Sequence, residues 1–204
     1  MIDPYNITDY TRTQAELEEF ILFCVVVAGK TANVQARLLD NFLNLVSGTP
    51  FDSIRKMKSA GTLGSNLREA KLGQYRKIET AFIELVSGNL DLTTCTISDL
   101  EKIHGIGPKT SRFFIVHSRV NQQHAIIDTH ILKFLRDTLH LDVVTKSTPS
   151  SPALYSRLEN AFLAHCKAVG KSPADLDLEI WRFYSTNKQK ITTPNQVNVL
   201  SGSV

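Results

Sequence analysis

A chain of 204 residues suits one domain or two small lobes and can bury a sizeable core. Its net charge of +3 permits a local basic face but is too mild to name nucleic acid as a partner. Its three cysteines are far apart and odd in number, which argues for a reducing compartment and against a disulfide framework.

Taken in order, the apolar spacing predicts helices with almost no strand alternation, an all-α chain. Residues 1–13 are polar, contain Pro4, and read as a loosely docked arm. Residues 14–28 follow as a helix whose Leu17, Phe20, Ile21, Phe23, Cys24 and Val27 cover much of its circumference, as in a central helix. Cys24 there reads as a buried thiol, and Gly29 ends the helix. The apolar stretch 20–28 is far too short to span a bilayer, and Glu16, Glu18 and Glu19 before it have the wrong charge for a signal peptide. A cytoplasmic, nucleoid-associated protein is expected, neither secreted nor membrane-bound.

A second helix covers 34–46 and is broken by Ser47-Gly48-Thr49-Pro50. A short helix over 54–59 would take Asp52 or Ser53 as its cap, residues 61–66 read as a loop, and 67–73 carry one turn. Helix 74–86 turns Ile78, Phe82, Ile83 and Val86 inward and Arg76 and Lys77 outward. Beyond residue 120, helices are expected over 129–139 and 155–169, with a turn-rich linker or mobile loop at 145–152. Ser172-Pro173 opens the last helix, which holds Leu176, Leu178, Ile180, Trp181 and Tyr184; the tail over 189–204 reads as flexible.

The chain is organised around residues 98–130. Ser98 and Glu101 have capping-box spacing, so a short helix is expected from 98. Gly105-Ile106-Gly107 then supplies two φ-permissive positions, and Pro108 starts a second helix running to 119. Helix, Gly-Ile-Gly turn, helix is a helix-hairpin-helix. Unpaired N–H groups at the start of its second helix can hold a phosphate without reading a base.

Ile103-His-Gly-Ile-Gly-Pro-Lys109-Thr110, followed by Ala125-Ile-Ile-Asp128-Thr-His130-Ile, resembles the helix-hairpin-helix DNA glycosylases of the endonuclease III superfamily. The resemblance implies a six-helix lobe over 14–122 that contains the hairpin at 98–119. It implies a second helical lobe over 123–188 carrying the aspartate, with DNA in a central cleft. Lys109 stands where the bifunctional members carry their nucleophile and Asp128 where all carry an essential carboxylate. Gly105, Ile106, Gly107, Thr110 and Lys30 are the candidate DNA contacts. Gly29-Lys30-Thr31 falls where relatives place a glutamine-bearing loop that enters the DNA, and the glutamine is absent here, so the motif names no lesion. The dispersed cysteines cannot form the closely spaced iron–sulfur cluster that many members carry. No divalent metal or redox cofactor is expected, although hairpins of this family often hold a monovalent cation on their carbonyls.

Each residue also has a plainer role open to it. Lys109 can pair with a phosphate, and Asp128 can cap the helix that begins at Thr129. His130 shows no ligand spacing with the other histidines and suits a structural hydrogen bond. Lys30, Arg76, Lys77 and Arg112 suit solvated charges, and Trp181 suits the core. The function implied is base-excision repair by a monomeric DNA glycosylase with AP lyase activity, excising a damaged base from double-stranded DNA through a lysine Schiff base. Two other readings stay open: an enzyme of this fold that modifies or exchanges a hypermodified thymine in phage DNA, and a non-enzymatic hairpin DNA-binding protein.

Overall fold

The computed structural model describes residues 1–142 and 145–186, and every regular element among them is helical. The tail expected to be flexible from 189 lies outside the described residues. The chain divides into two compact units, Met1–Arg119 and a second that begins at Val120, where the sequence reading had put the boundary after 122. Among the described residues, no helix is long and apolar enough to cross a membrane.

In the first unit, α1 (Gln14–Val26) is the axis. Thr13 and Glu16 form a full capping box at its start, with Thr13 N–H donating to Glu16 Oε2 at 2.8 Å. From Phe20 to Val26 every residue is buried, and α1 packs against α2 (Ala32–Leu43), α3 (Pro50–Ser59), α5 (Tyr75–Ser87) and α7 (Pro108–Ser118). Phe20, fully buried, lies 5.5 Å from the Phe114 ring and 5.8 Å from that of Phe113. Burying such a side chain stabilises by about 1.5–3 kcal/mol. Cys24 is the buried thiol that its surroundings suggested.

Several local expectations need correction. α3 is capped by Thr49, whose Oγ1 accepts from Asp52 N–H at 3.3 Å, because Pro50 fits the first helical position. Asp52 instead pairs with Arg55, and Ser53 donates to the Val46 carbonyl. Residues 61–66 are not all loop. Leu63–Glu69 is a helix, α4, packed on α5 through the buried Leu63 and Leu67. The first unit thus holds seven α-helices. The arm is not loose either. Ile2 and Ile7 are buried, and Arg12 donates to the carbonyls of Ile7, Asp9 and His117 while its guanidinium lies 4.0 Å over the Phe20 ring. Thr8 Oγ1 meets His117 Nδ1 at 2.7 Å, so the arm is pinned to the end of α7.

The second unit has α8 (Thr129–Asp137), α9 (Pro152–Val169) and α10 (Pro173–Thr186) around a core that includes Ile127, Leu132, Phe134, Phe162, Ile180 and Tyr184. α9 begins three residues before 155, with Ser151 as cap and Pro152 at its first position. Leu176, Ile180 and Tyr184 face this core, whereas Leu178 and Trp181 are only half-buried.

Candidate active site

The hairpin is α6 (Ile97–Glu101), the turn, and α7. The capping box of α6 is Thr96 with Asp99, not Ser98 with Glu101: Thr96 N–H donates to Asp99 Oδ2 and Asp99 N–H to Thr96 Oγ1, both at 3.1 Å. The earlier start frees Glu101 for a second task. Its Oε1 accepts from Ser111 Oγ at 2.8 Å and from Arg112 Nη1 at 3.1 Å, tying α6 to α7. Arg112 is therefore a strap of the hairpin and not a solvated charge. Arg119, just past α7, donates to the carbonyls of Leu92 and Cys95 and closes the other end.

The two turn glycines are not alike. Gly105 has φ +83°, and a Cβ there would meet the stem of Lys77 at 2.9 Å. Gly107 has extended backbone with φ −106°, a conformation any residue adopts, and a Cβ on it would enter open space. Only Gly105 thus needs glycine's conformational freedom; Gly107 leaves an uncovered face beside the start of α7. The turn is seated on α5 by Lys77 and by Glu84, whose Oε2 accepts from His104 N–H at 2.6 Å. Ile106 is buried and donates its N–H to the Ile103 carbonyl, so it anchors the turn from within. Thr110 is buried and its N–H goes to the Gly107 carbonyl, which leaves it packing the hairpin. The N–H groups of Gly107 and Lys109 have no partner among the described residues. They are the donors an anion at the N-terminus of this eleven-residue helix would find.

Lys109, half-buried, sits in the first turn of α7, with its Nζ 5.5 Å from the centre of the Phe113 ring four residues on. Phe113 leans edge-on against Phe20 and His117. The lysine's platform is thus built on the central helix and on the residue that the arm holds. Helical spacing from Lys109 could have singled out Phe113; the arm's part in this support had no local signal.

Lys30 is half-buried and does not project freely. It donates to the Leu72 carbonyl, and burial, followed by the nearby Lys77 charge, pushes its ammonium below the usual lysine range. It tethers a loop in which Lys71, Gly73 and Gln74 all have left-handed φ. Lys30 and the hairpin turn are thus brought together through Lys77. Arg76 remains exposed, as expected.

Asp128 belongs to the second unit and performs the capping role open to it. Its Oδ1 accepts from His130 N–H at 2.8 Å and Ile131 N–H at 2.9 Å. Its Oδ2 has no hydrogen-bond partner among the described residues. One oxygen therefore fixes the carboxylate while the other keeps its lone pairs. The His130 ring does not make the hydrogen bond expected of it: Nδ1 is buried without a partner, and the ring lies 6.1 Å from Tyr184. Among the described residues, no three His, Cys, Asp or Glu side chains are grouped to hold a metal ion.

Three comparisons bear on this arrangement. Residues 2–171 match the model of a family described as 8-oxoguanine DNA glycosylase. An 8-oxoguanine DNA glycosylase/AP lyase of Thermoplasma volcanium is 27% identical over 186 residues, 88% of this chain and 85% of that protein. The crystal structure of the Methanocaldococcus jannaschii 8-oxoguanine glycosylase/lyase, in complex with 15mer DNA containing 8-oxoguanine, superposes with a TM-score of 0.63. It is 22% identical and covers 88% of this chain and 86% of its own. These relatives favour the glycosylase reading over the thymine-modifying and non-enzymatic ones.

Proposed function

The chain belongs to the 8-oxoguanine DNA glycosylase family, and from that premise we propose that it removes 8-oxoguanine from double-stranded DNA with Lys109 as nucleophile and Asp128 as the reacting carboxylate. It is a DNA glycosylase with AP lyase activity in base-excision repair. The observation that carries the residue assignment is the state of Asp128. Its cap uses Oδ1 alone, which fixes the direction of the carboxylate and leaves Oδ2 with its lone pairs for a reacting sugar.

The flipped nucleotide presents its sugar to the amine. Lys109 reacts as the neutral amine: its nitrogen forms a bond to C1′ as the glycosidic bond breaks, and the base leaves with that electron pair and takes up the proton the nitrogen sheds. Ring opening gives the imine. Loss of a C2′ proton then expels the 3′ phosphate by β-elimination and nicks the strand. The ionised Asp128 carboxylate stabilises positive charge that develops on the sugar. No step calls for a redox group, since displacement at C1′, ring opening and β-elimination involve proton transfers and no net oxidant or reductant. The unpaired N–H groups of Gly107 and Lys109 hold a backbone phosphate and set the register of the duplex. Lys30 acts through the loop it tethers and not as a free charge.

The test is borohydride trapping on duplexes carrying 8-oxoguanine, an oxidised pyrimidine, uracil or an abasic site. A covalent protein–DNA adduct on 8-oxoguanine and abasic duplexes, lost in Lys109→Gln, is the expected result. Adduct formation on the pyrimidine duplex in preference to 8-oxoguanine would remove the substrate assignment, and trapping that survives Lys109→Gln would remove the nucleophile.

A further inference from the structure

Residues 125–127 belong to no helix, and among the described residues there is no strand for them to pair with. Ala125 and Ile127 are nevertheless buried, where an unmet peptide group is costly. Side chains meet all four of their peptide groups. Glu159 Oε1 accepts from Ala125 N–H at 2.9 Å, and Thr148 Oγ1 donates to the Ile127 carbonyl at 2.9 Å. The Tyr155 hydroxyl takes the other two: it donates to the Ala125 carbonyl at 2.8 Å and accepts from Ile127 N–H at 3.2 Å. One phenol stands in for the edge of a neighbouring strand, and the next residue along the chain is Asp128.

We propose that Tyr155 is a positioning residue for the glycosylase reaction, fixing through the backbone at 125 and 127 the direction in which Asp128 presents its free oxygen. The helix cap cannot do this alone. It ties Oδ1 to the first turn of α8, so carboxylate and helix can still tilt as one body. Tyr155, on α9, ties the residues ahead of the carboxylate to a second helix, and it is the side chain that bonds on both sides of residue 126. Two attachments on different helices remove the tilt. This inference rests on the reading of Asp128 as the reacting carboxylate.

Tyr155→Phe keeps the packing of the ring and deletes both bonds. The experiment is a double-mutant cycle in the full chain, with Tyr155→Phe, Asp128→Asn and the pair. It is read by single-turnover excision of 8-oxoguanine and by the rate of borohydride trapping on an abasic duplex, a readout that does not depend on the base removed. Duplex affinity and melting temperature are followed alongside. Tyr155→Phe is expected to slow both rates about tenfold, since a small misplacement of a reacting group is costly. Affinity is expected to stay within about twofold, and the pair to be no slower than Asp128→Asn alone, because a residue that acts through Asp128 has nothing left to act on. Losses that multiply in the pair would overturn the proposal, as a merely structural residue would add its own penalty. A wild-type rate for Tyr155→Phe beside a slow Asp128→Asn overturns the positioning role and leaves the Asp128 reading standing. A wild-type rate for Asp128→Asn removes the reading beneath it. Should Tyr155→Phe not fold, Thr148→Val removes one bond from the half-buried Thr148. It should slow both rates about threefold, and full speed there overturns the proposal.

Discussion

Lys109 and Asp128 are held in opposite ways. The hairpin that carries Lys109 is closed by near neighbours, with Glu101 reaching Ser111 and Arg112 across ten and eleven positions. The segment that delivers Asp128 is held by Thr148, Tyr155 and Glu159, between 21 and 34 positions away. Local closure makes a motif that can be read off a short stretch. Distant closure makes a site whose end point is readable while its supports are not.

Lys109→Gln breaks the comparison most sharply. It should abolish borohydride trapping altogether while DNA affinity changes little, since one lost phosphate charge lowers the salt slope by only about one. Asp128→Asn comes next. Asparagine caps about as well as aspartate, so the melting temperature should hold while single-turnover excision falls by about 10²–10³-fold, the range seen when one preorganised electrostatic group is lost. A folded variant with wild-type turnover would reduce Asp128 to a cap.

What could be read in the sequence follows the same division. The central helix, the hairpin and the two residues proposed to react, Lys109 and Asp128, sit in patterns a few residues wide. Helix α4 does not: Gly61 and Gly64 make that stretch look like loop, and only the burial of Leu63 and Leu67 against α5 outweighs the roughly 1 kcal/mol that a helical glycine costs. The capping box of α6 is ambiguous in the sequence because two such patterns overlap between 96 and 101. Which of them closes depends on whether Glu101 has a better partner, and it has two on α7. In the sequence Lys30 reads as a solvated charge or a DNA contact because its acceptor, the Leu72 carbonyl, lies 42 positions away.

The two turn glycines sharpen the comparison at smaller scale. Gly105→Ala forces a side chain into left-handed backbone against the stem of Lys77 and should cost about 1–2 kcal/mol in thermal or denaturant unfolding. Gly107→Ala should leave stability unchanged within about 0.5 kcal/mol. Any loss of affinity in Gly107→Ala, equal across DNA sequences, then reports the approach of a phosphate to that open face. Affinity that fell for one sequence alone would mean that the turn reads bases.

The smallest effect expected is one of pH. The Thr96 hydroxyl, and then Lys102, bond to Asp99 and hold its carboxyl well below the ordinary carboxylate range. A depressed folded-state pKa means that this support is whole above the ordinary value of 3.8 and is lost as pH falls through the folded one. Hydrogen exchange at the Thr96 amide, which donates to that carboxylate, should after correction for the intrinsic rate be flat from neutral pH down to about pH 4 and rise only in stronger acid. A rise near neutral pH would show that the box is not closed by the ionised carboxylate.

The docking of Arg12 has a practical consequence. Residues 1–12 look expendable, yet the Arg12 guanidinium holds the His117 carbonyl in the last turn of the helix that carries Lys109, and it covers the Phe20 ring on which that helix leans. Trimming this arm to improve crystals, or nicking it with a protease during purification, would loosen α7 at the end opposite Lys109. The resulting preparation would keep nearly every residue of the site and would still work poorly, so the mass of the amino-terminal peptide is the first quality check to make on any inactive batch.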